Sequence, residues 1–171
     1  MEIKYCPVCR SELQPRMIDG KARYACPSSA CRFVHWNNPI PVAAALVRHE
    51  GNYVLARNVG WPKNMFSLLT GFLEEGESPE RAVAREVHEE LGLQSERLDF
   101  LGHFPLPEFN QLLIAYALDA RGTLTLNHEI AEVKSVSPDE LASFDFGPLL
   151  LTRNIVSCWL ERCAPQAPQS R

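Results

Sequence analysis

The feature that most limits how this chain can fold is a run of carboxylates that a helix would set side by side. Gly71-Phe72-Leu73-Glu74-Glu75-Gly76-Glu77 is followed by residues 78–84 and then by Arg85-Glu86-Val87-His88-Glu89-Glu90-Leu91-Gly92-Leu93. Ser78 is placed to cap a helix, with Pro79 at its first position and Glu80 in its first turn. Val83, Val87 and Leu91 form an apolar stripe, and Gly92 stops the helix. Glu86, Glu89 and Glu90 then stand at i, i+3 and i+4 on one face, where like charges cost about 0.2–0.5 kcal/mol per pair. A solvated acidic face is the ordinary fate of such residues, but that kind of face alternates sign. Residues 74–90 instead hold seven Glu against two Arg. Divalent hard cations remove the repulsion. Mg2+ or Mn2+ prefer carboxylate oxygens and keep waters that leave room for substrate phosphates. Arg85 is placed to pair with Glu77 and orient the cluster.

Residues 71–93 match the motif G-x5-E-x7-R-E-U-x-E-E-x-G-U, with U aliphatic, and so resemble the Nudix hydrolases. The resemblance implies an α/β fold, an α/β/α sandwich around a mixed sheet. It implies cleavage of a diphosphate linked to a second moiety, usually in a nucleotide, by water with divalent metal assistance. Carried onto this sequence it makes Glu86, Glu89 and Glu90 ligands of Mg2+ or Mn2+, supported by Glu77 and Arg85. Gly71 lets the strand turn into the loop and lies on the substrate side. The proton-accepting carboxylate stays open between Glu89, Glu90 and a downstream acid, with Glu129 and Glu132 as candidates. The stretch His128-Glu129-Ile130-Ala131-Glu132-Val133 resembles the one where many relatives place another metal-binding or basic Glu; a surface turn is the alternative.

The first 36 residues have a different logic. Cys6-Pro7-Val8-Cys9 and Cys26-Pro27-Ser28-Ser29-Ala30-Cys31 form two knuckles separated by sixteen residues. The segment between them carries a hairpin signal around Asp19-Gly20, with strand-like runs over 12–18 and 21–25. It lacks the large apolar side chains a core needs. Four thiolates at this spacing close a tetrahedral Zn2+ site with no open position, a structural zinc ribbon. His35 is an alternative ligand, though packing beside Trp36 is its plainer role. Residues 1–36 carry six Lys/Arg against three Asp/Glu, a formal +3. Zinc on four thiolates nets −2, which leaves about +1 and weakens a nucleic-acid reading of this unit.

Three segments are expected: a zinc ribbon over 1–36, a Nudix domain over 37–163 and a disordered tail over 164–171. Asn37-Asn38-Pro39-Ile40-Pro41 reads as a linker, since its prolines disfavour helix and central strand. Strands are expected over 42–48 and 53–57 as a hairpin, and over 66–72, 98–104, 112–118 and 130–136. Helical stretches are expected over 138–144 and 148–162. Cys158 and Cys163 read as ordinary semi-buried side chains.

A zinc ribbon leading into a Nudix domain is similar to the NADH pyrophosphatase group and to zinc-ribbon enzymes acting on FAD and ADP-ribose. The former carry a Ser-Gln-Pro-Trp-Pro-Phe-Pro array after the motif. Here His103-Phe104-Pro105-Leu106-Pro107-Glu108-Phe109 stands there, so Phe104 and Phe109 are the candidates to stack on a substrate ring, with core packing as the alternative. Lys134-Ser135 occupies a spot where many relatives have an aromatic residue. The expected partner is a small nucleotide; a homodimer is possible, nucleic acid is not expected, and no apolar run approaches the ~20 residues of a membrane helix. The N-terminus lacks a basic-then-apolar secretion pattern, which points to the cytoplasm. The rival reading is a binding module: a zinc ribbon gripping nucleic acid, a ligand sensor, or an enzyme removing a nucleotide cap from RNA.

Overall fold

A computed structural model of the chain describes residues 3–164. The chain divides into two compact units, Met1–Asn38 and Pro39–Arg171. Apart from Ala164, which caps the last helix, the expected disordered tail lies outside the described residues. No helix among the described residues is long and apolar enough to cross a membrane.

The first unit is a three-stranded antiparallel sheet of β1 (Gln14–Ile18), β2 (Lys21–Ala25) and β3 (Val34–His35), in that order. Asp19 and Gly20 both have positive φ, 50° and 74°, the conformation a two-residue hairpin of native twist demands. The first strand starts later than expected, because Glu12 forms only an isolated bridge with Tyr5. The buried cluster of this unit is Cys6, Leu13 and Cys26, with Ile3, Cys31 and Phe33 packed against it. So small a core does not hold a fold without a cross-link.

The second unit is a mixed sheet between two helical layers. Its strands are β4 (Ile40–His49), β5 (Asn52–Asn58), β6 (Leu69–Phe72), β7 (Gln94–Leu106), β8 (Gln111–Arg121) and β9 (Ile130–Val136). The order is β7-β8-β4-β5-β9, with β6 also paired to β4. The contact of β4 with β8 is parallel, and the pairings of β4 with β5 and β6, β5 with β9, and β7 with β8 are antiparallel. Residues 42–47 are all buried, as befits a strand covered on both faces. One edge of β4 is shared, since β6 takes Val42–Ala45 and β5 takes Val47–His49.

On one face lies α1 (Pro79–Leu91), which buries Ala82, Val83, Val87 and Leu91 against Ala43, Ala45 and Val47. On the other lie α2 (Pro138–Ser143) and α3 (Leu150–Cys163), with Leu141, Ile155 and Val156 against Val42, Ala44 and Leu46. A single strand thus feeds both cores, its side chains alternating between them.

Two expectations need correction. The Asn-Asn-Pro-Ile-Pro segment is not all linker: Ile40 and Pro41 already belong to β4, paired with Gln111 and Leu112. Ile40 N donates to Asn110 O at 2.8 Å, so Pro41 directs its missing donor to the other edge. The pairing with β6 starts there only at Val42, so no ladder bond is lost. The strand expected over 66–72 is confined to Leu69–Phe72. Ser67 makes an isolated bridge with Ala56, and its hydroxyl is turned to Thr152 Oγ1 of α3 at 2.7 Å.

Candidate active site and metal centres

Helix α1 begins and ends as its sequence dictates. Ser78 Oγ accepts from Arg81 N at 3.4 Å, and Gly92, at φ 68°, donates its N–H to His88 O at 2.9 Å. Between these caps Arg85 organises the carboxylates. Its Nε donates to Glu77 Oε1 and its Nη2 to Glu77 Oε2, both at 3.0 Å, a two-pronged pairing that fixes the plane of both groups. Its Nη1 reaches Glu86 Oε1 at 2.8 Å and Glu89 Oε2 at 3.2 Å. Nη2 also donates to Phe72 O at 3.1 Å, tying the helix to the end of β6. The Arg85 guanidinium holds the Glu77 carboxyl below the usual carboxylate range.

Glu90 is in another environment. It is 5% exposed, and burial, then the charges of Glu86, Glu129 and Glu89, push its carboxyl up to about 7. A carboxylate buried without a cationic partner is costly, and a hard cation at this face would supply the missing charge. The charges of Glu86, Glu89 and Glu129 all act on Glu90, so the donor set fits Mg2+ or Mn2+. The carboxylates of Glu86, Glu89 and Glu90 are not gathered into a ready group of ligand atoms. Among the described residues only the four cysteines form such a group. Arg85 Nη1 draws Glu86 and Glu89 to itself.

The structure changes the reading of Gly71. It is not at a turn with positive φ; it sits inside β6, paired with Ala43. A Cβ there would fall 1.9 Å from Glu86 Oε1 and 2.0 Å from its Cδ. Glycine is present because the carboxylate lies directly against the strand backbone.

Glu129 precedes β9. Asn127 Oδ1 accepts from Glu129 N at 2.9 Å and from Ile130 N at 3.3 Å, and Asn127 N donates to Glu90 O at 3.2 Å. This Asx turn ties the Glu129 segment to the end of α1. Glu132 is committed elsewhere, to Arg57 Nη2 at 3.0 Å. Phe104 is half-buried and packed on the α3-side core, whereas Phe109, in a short 3-10 turn between β7 and β8, is 69% exposed. Lys134 lies over the Phe66 ring, 4.2 Å from its centroid.

Two features escaped the sequence reading. Tyr116 Oη donates to Glu80 Oε1 at 2.7 Å and pins the start of α1 to β8; no local pattern announces a contact between residues so far apart. The Asx turn was open to inference, since an Asn side chain before a strand commonly accepts from the backbone N–H two residues on.

In the first unit the ligand atoms of Cys6, Cys9, Cys26 and Cys31 all lie within 4.8 Å of one another. The Cys9–Cys26 sulfurs are 3.3 Å apart and the Cys6–Cys31 sulfurs 3.7 Å. Tetrahedral zinc with bonds of about 2.3 Å requires sulfurs about 3.8 Å apart, so the four fit that ion. His35 stands opposite Tyr24 across β2 and β3, outside this cluster.

Residues 38–154 match the NUDIX domain family, and the chain belongs to it. It is 32% identical over 142 residues to the NAD(P)H pyrophosphatase NUDT13, mitochondrial, of Homo sapiens, covering 79% of this chain and 40% of that protein. It is 30% identical over 117 residues to the NAD-capped RNA hydrolase NudC of Vibrio parahaemolyticus, covering 68% of this chain and 44% of that protein. The chain thus spans less than half the length of these curated relatives. A crystal structure of a NUDIX hydrolase from Nitrosomonas europaea superposes with a TM-score of 0.77 over 94% of this chain and 92% of that one, at 22% identity, which shows a shared fold.

Proposed function

We propose that this chain hydrolyses the diphosphate bridge of a nucleoside diphosphate-linked compound of the NADH, FAD or ADP-ribose class, with NAD(H) first among them. The products are a nucleoside monophosphate and a second phosphate-bearing fragment. The observation that carries this reading is the face of α1, where Arg85 orients Glu77, Glu86 and Glu89 while Glu90 lies buried beside them with a raised carboxyl. The names of the relatives support the dinucleotide class.

Glu86, Glu89 and Glu90 would hold Mg2+ or Mn2+, which when bound neutralises the diphosphate oxygens and acidifies water. The chain's own residues do the rest. Arg85 keeps two carboxylates in register, and Gly71 leaves room for Glu86 against β6. Glu129, brought to this face by Asn127 and not held by Arg85, takes the proton of the attacking water. The water oxygen bonds to one phosphorus, the bridging P–O bond breaks, and its electron pair leaves with the other phosphate. Phe109, exposed beside the strand ends, is the candidate ring platform. Phe104 is spent on the core.

The relatives named for NAD-capped RNA favour a second substrate of the same chemistry. That weakens the expectation that nucleic acid is no partner. The test is product analysis over NADH, NAD, FAD, ADP-ribose, a dinucleoside polyphosphate, a nucleoside triphosphate and NAD-capped RNA with Mg2+ and with Mn2+. The reading expects AMP from the dinucleotides. No release of monophosphate from any of them would overturn it.

A further inference from the structure

We propose that the first unit carries a binding face for the phosphate backbone of single-stranded RNA, made by Arg16, Lys21 and Arg23 with Trp36 beside them. The register sets the face. Arg16 of β1 stands directly opposite Arg23 of β2, and Ile18 opposite Lys21. Residues two apart on a strand share a side, so the three cations project from one surface of the sheet. The Arg23 guanidinium lies over the Trp36 ring, 4.7 Å from its centroid, and donates through Nη1 to Trp36 O at 2.9 Å. That places the indole on the same surface, 45% exposed.

Two like charges directly opposed across a ladder destabilise a sheet, and their partners are neutral: Arg16 Nη2 donates to Pro27 O at 3.5 Å, and Arg23 meets the Trp36 carbonyl and ring. Among the described residues none of the three cations has a carboxylate within 4.0 Å; the ion pair of this unit is Lys4 with Glu12, at 3.8 Å. Arg23 Nε is buried with no hydrogen-bond partner. The zinc-thiolate charge bears on Arg16, whose Nη2 donates to Pro27 O next to Cys26 at 3.5 Å, more than on Arg23 and Lys21. The knuckle at Cys26 follows β2, three residues beyond Arg23, about 10 Å along an extended chain, which is about one Debye length at physiological salt. A row of cations with an open aromatic is the pattern that grips a single strand, phosphates on the cations and a base on the ring. An acidic protein surface would use the cations but leave the indole without a planar partner.

This inference deepens the reading above by naming the RNA chain as a ligand of the first unit; it rests on that reading only for which RNA is hydrolysed. The experiment is fluorescence anisotropy of the full chain with an uncapped single-stranded RNA 12-mer between 50 and 300 mM salt (conditions of roughly the range where phosphate contacts report), beside NADH hydrolysis by the same samples. Three phosphate contacts predict a log–log salt slope near −2 for the native chain, and Arg16→Gln should reduce its magnitude by about 0.7. Trp36→Ala should weaken binding by about fivefold or more with the slope unchanged. NADH turnover should be the same in Arg16→Gln as in the native chain. Equal RNA affinity in native chain and Arg16→Gln, or equal competition by polyglutamate, overturns the RNA face. Absence of NADH turnover with RNA binding intact would instead count against the proposed hydrolysis alone.

Discussion

The Glu86 carboxylate rests against the backbone of Gly71, so close that a Cβ on residue 71 would stand 1.9 Å from Glu86 Oε1. Glu86 also accepts from Arg85 Nη1 at 2.8 Å, and its side chain is 15% exposed. It therefore cannot step aside without breaking that pairing. Gly71→Ala should cost about 1–3 kcal/mol of stability through overpacking and lower kcat/KM by roughly 10²-fold, the usual penalty for a displaced reacting group. Chemical denaturation and steady-state kinetics on NADH check both. Native-like kinetics would show that the position of Glu86 does not matter.

Arg85 is the hub of the carboxylate face, and its fork cannot be imitated by an ammonium. Arg85→Lys should keep the charge but lose the two-pronged grip on Glu77. Its Mg2+ requirement is expected to rise several-fold, with kcat reduced. Arg85→Ala should go further and destabilise the fold, because Glu77 is left without its cation. Mg2+ titrations of activity separate the two variants.

Glu90 gives the protein a pH signature. Its carboxyl is raised from 4.5 to about 7 by burial and by the neighbouring charges of Glu86, Glu129 and Glu89. The fold favours the protonated form, so this contribution is fully present below pH 4.5 and is lost as pH rises through 7. At roughly 1.4 kcal/mol per tenfold change in proton affinity, the loss is on the order of 3 kcal/mol. Without added Mg2+ or Mn2+, Glu90→Gln should be more stable than the native chain at pH 8, the gap closing towards pH 5. Urea midpoints at the two pH values decide the matter, and a pH-independent gap contradicts this account of Glu90.

The first unit buries Cys6, Leu13 and Cys26 and little else. Zinc removal with a chelator, or Cys26→Ser, should therefore expose residues 3–36 to protease while residues 39–164 stay resistant. Limited proteolysis read by mass spectrometry checks this. Protection of the ribbon after zinc loss would mean that its small core suffices.

Much of this arrangement was legible in the residue order. Ser78, Pro79 and Gly92 delimit α1 where local capping chemistry puts them, because those signals act within one turn. The pairing of Arg85 with Glu77 was legible too, since loop and helix are adjacent in sequence. What depended on distant partners was not. Pro41 looked like a breaker until the start of β6 at Val42 showed that its edge is unpaired. Ser67 looked like strand until Thr152 on α3 claimed its hydroxyl. Gly71 read as a turn residue because the approach of Glu86 to β6 is a tertiary fact. Phe104 and Phe109 were indistinguishable by type, and only burial separates the core residue from the exposed one.

The most direct test is the rate of AMP release from NADH, with Mg2+ present, by the native chain and by the doubly substituted Glu89→Gln/Glu90→Gln protein. The account predicts AMP and a nicotinamide mononucleotide fragment in equal amounts from the native chain, and a loss of roughly 10²-fold or more in the variant. AMP release at the native rate by a folded Glu89→Gln/Glu90→Gln protein would contradict it.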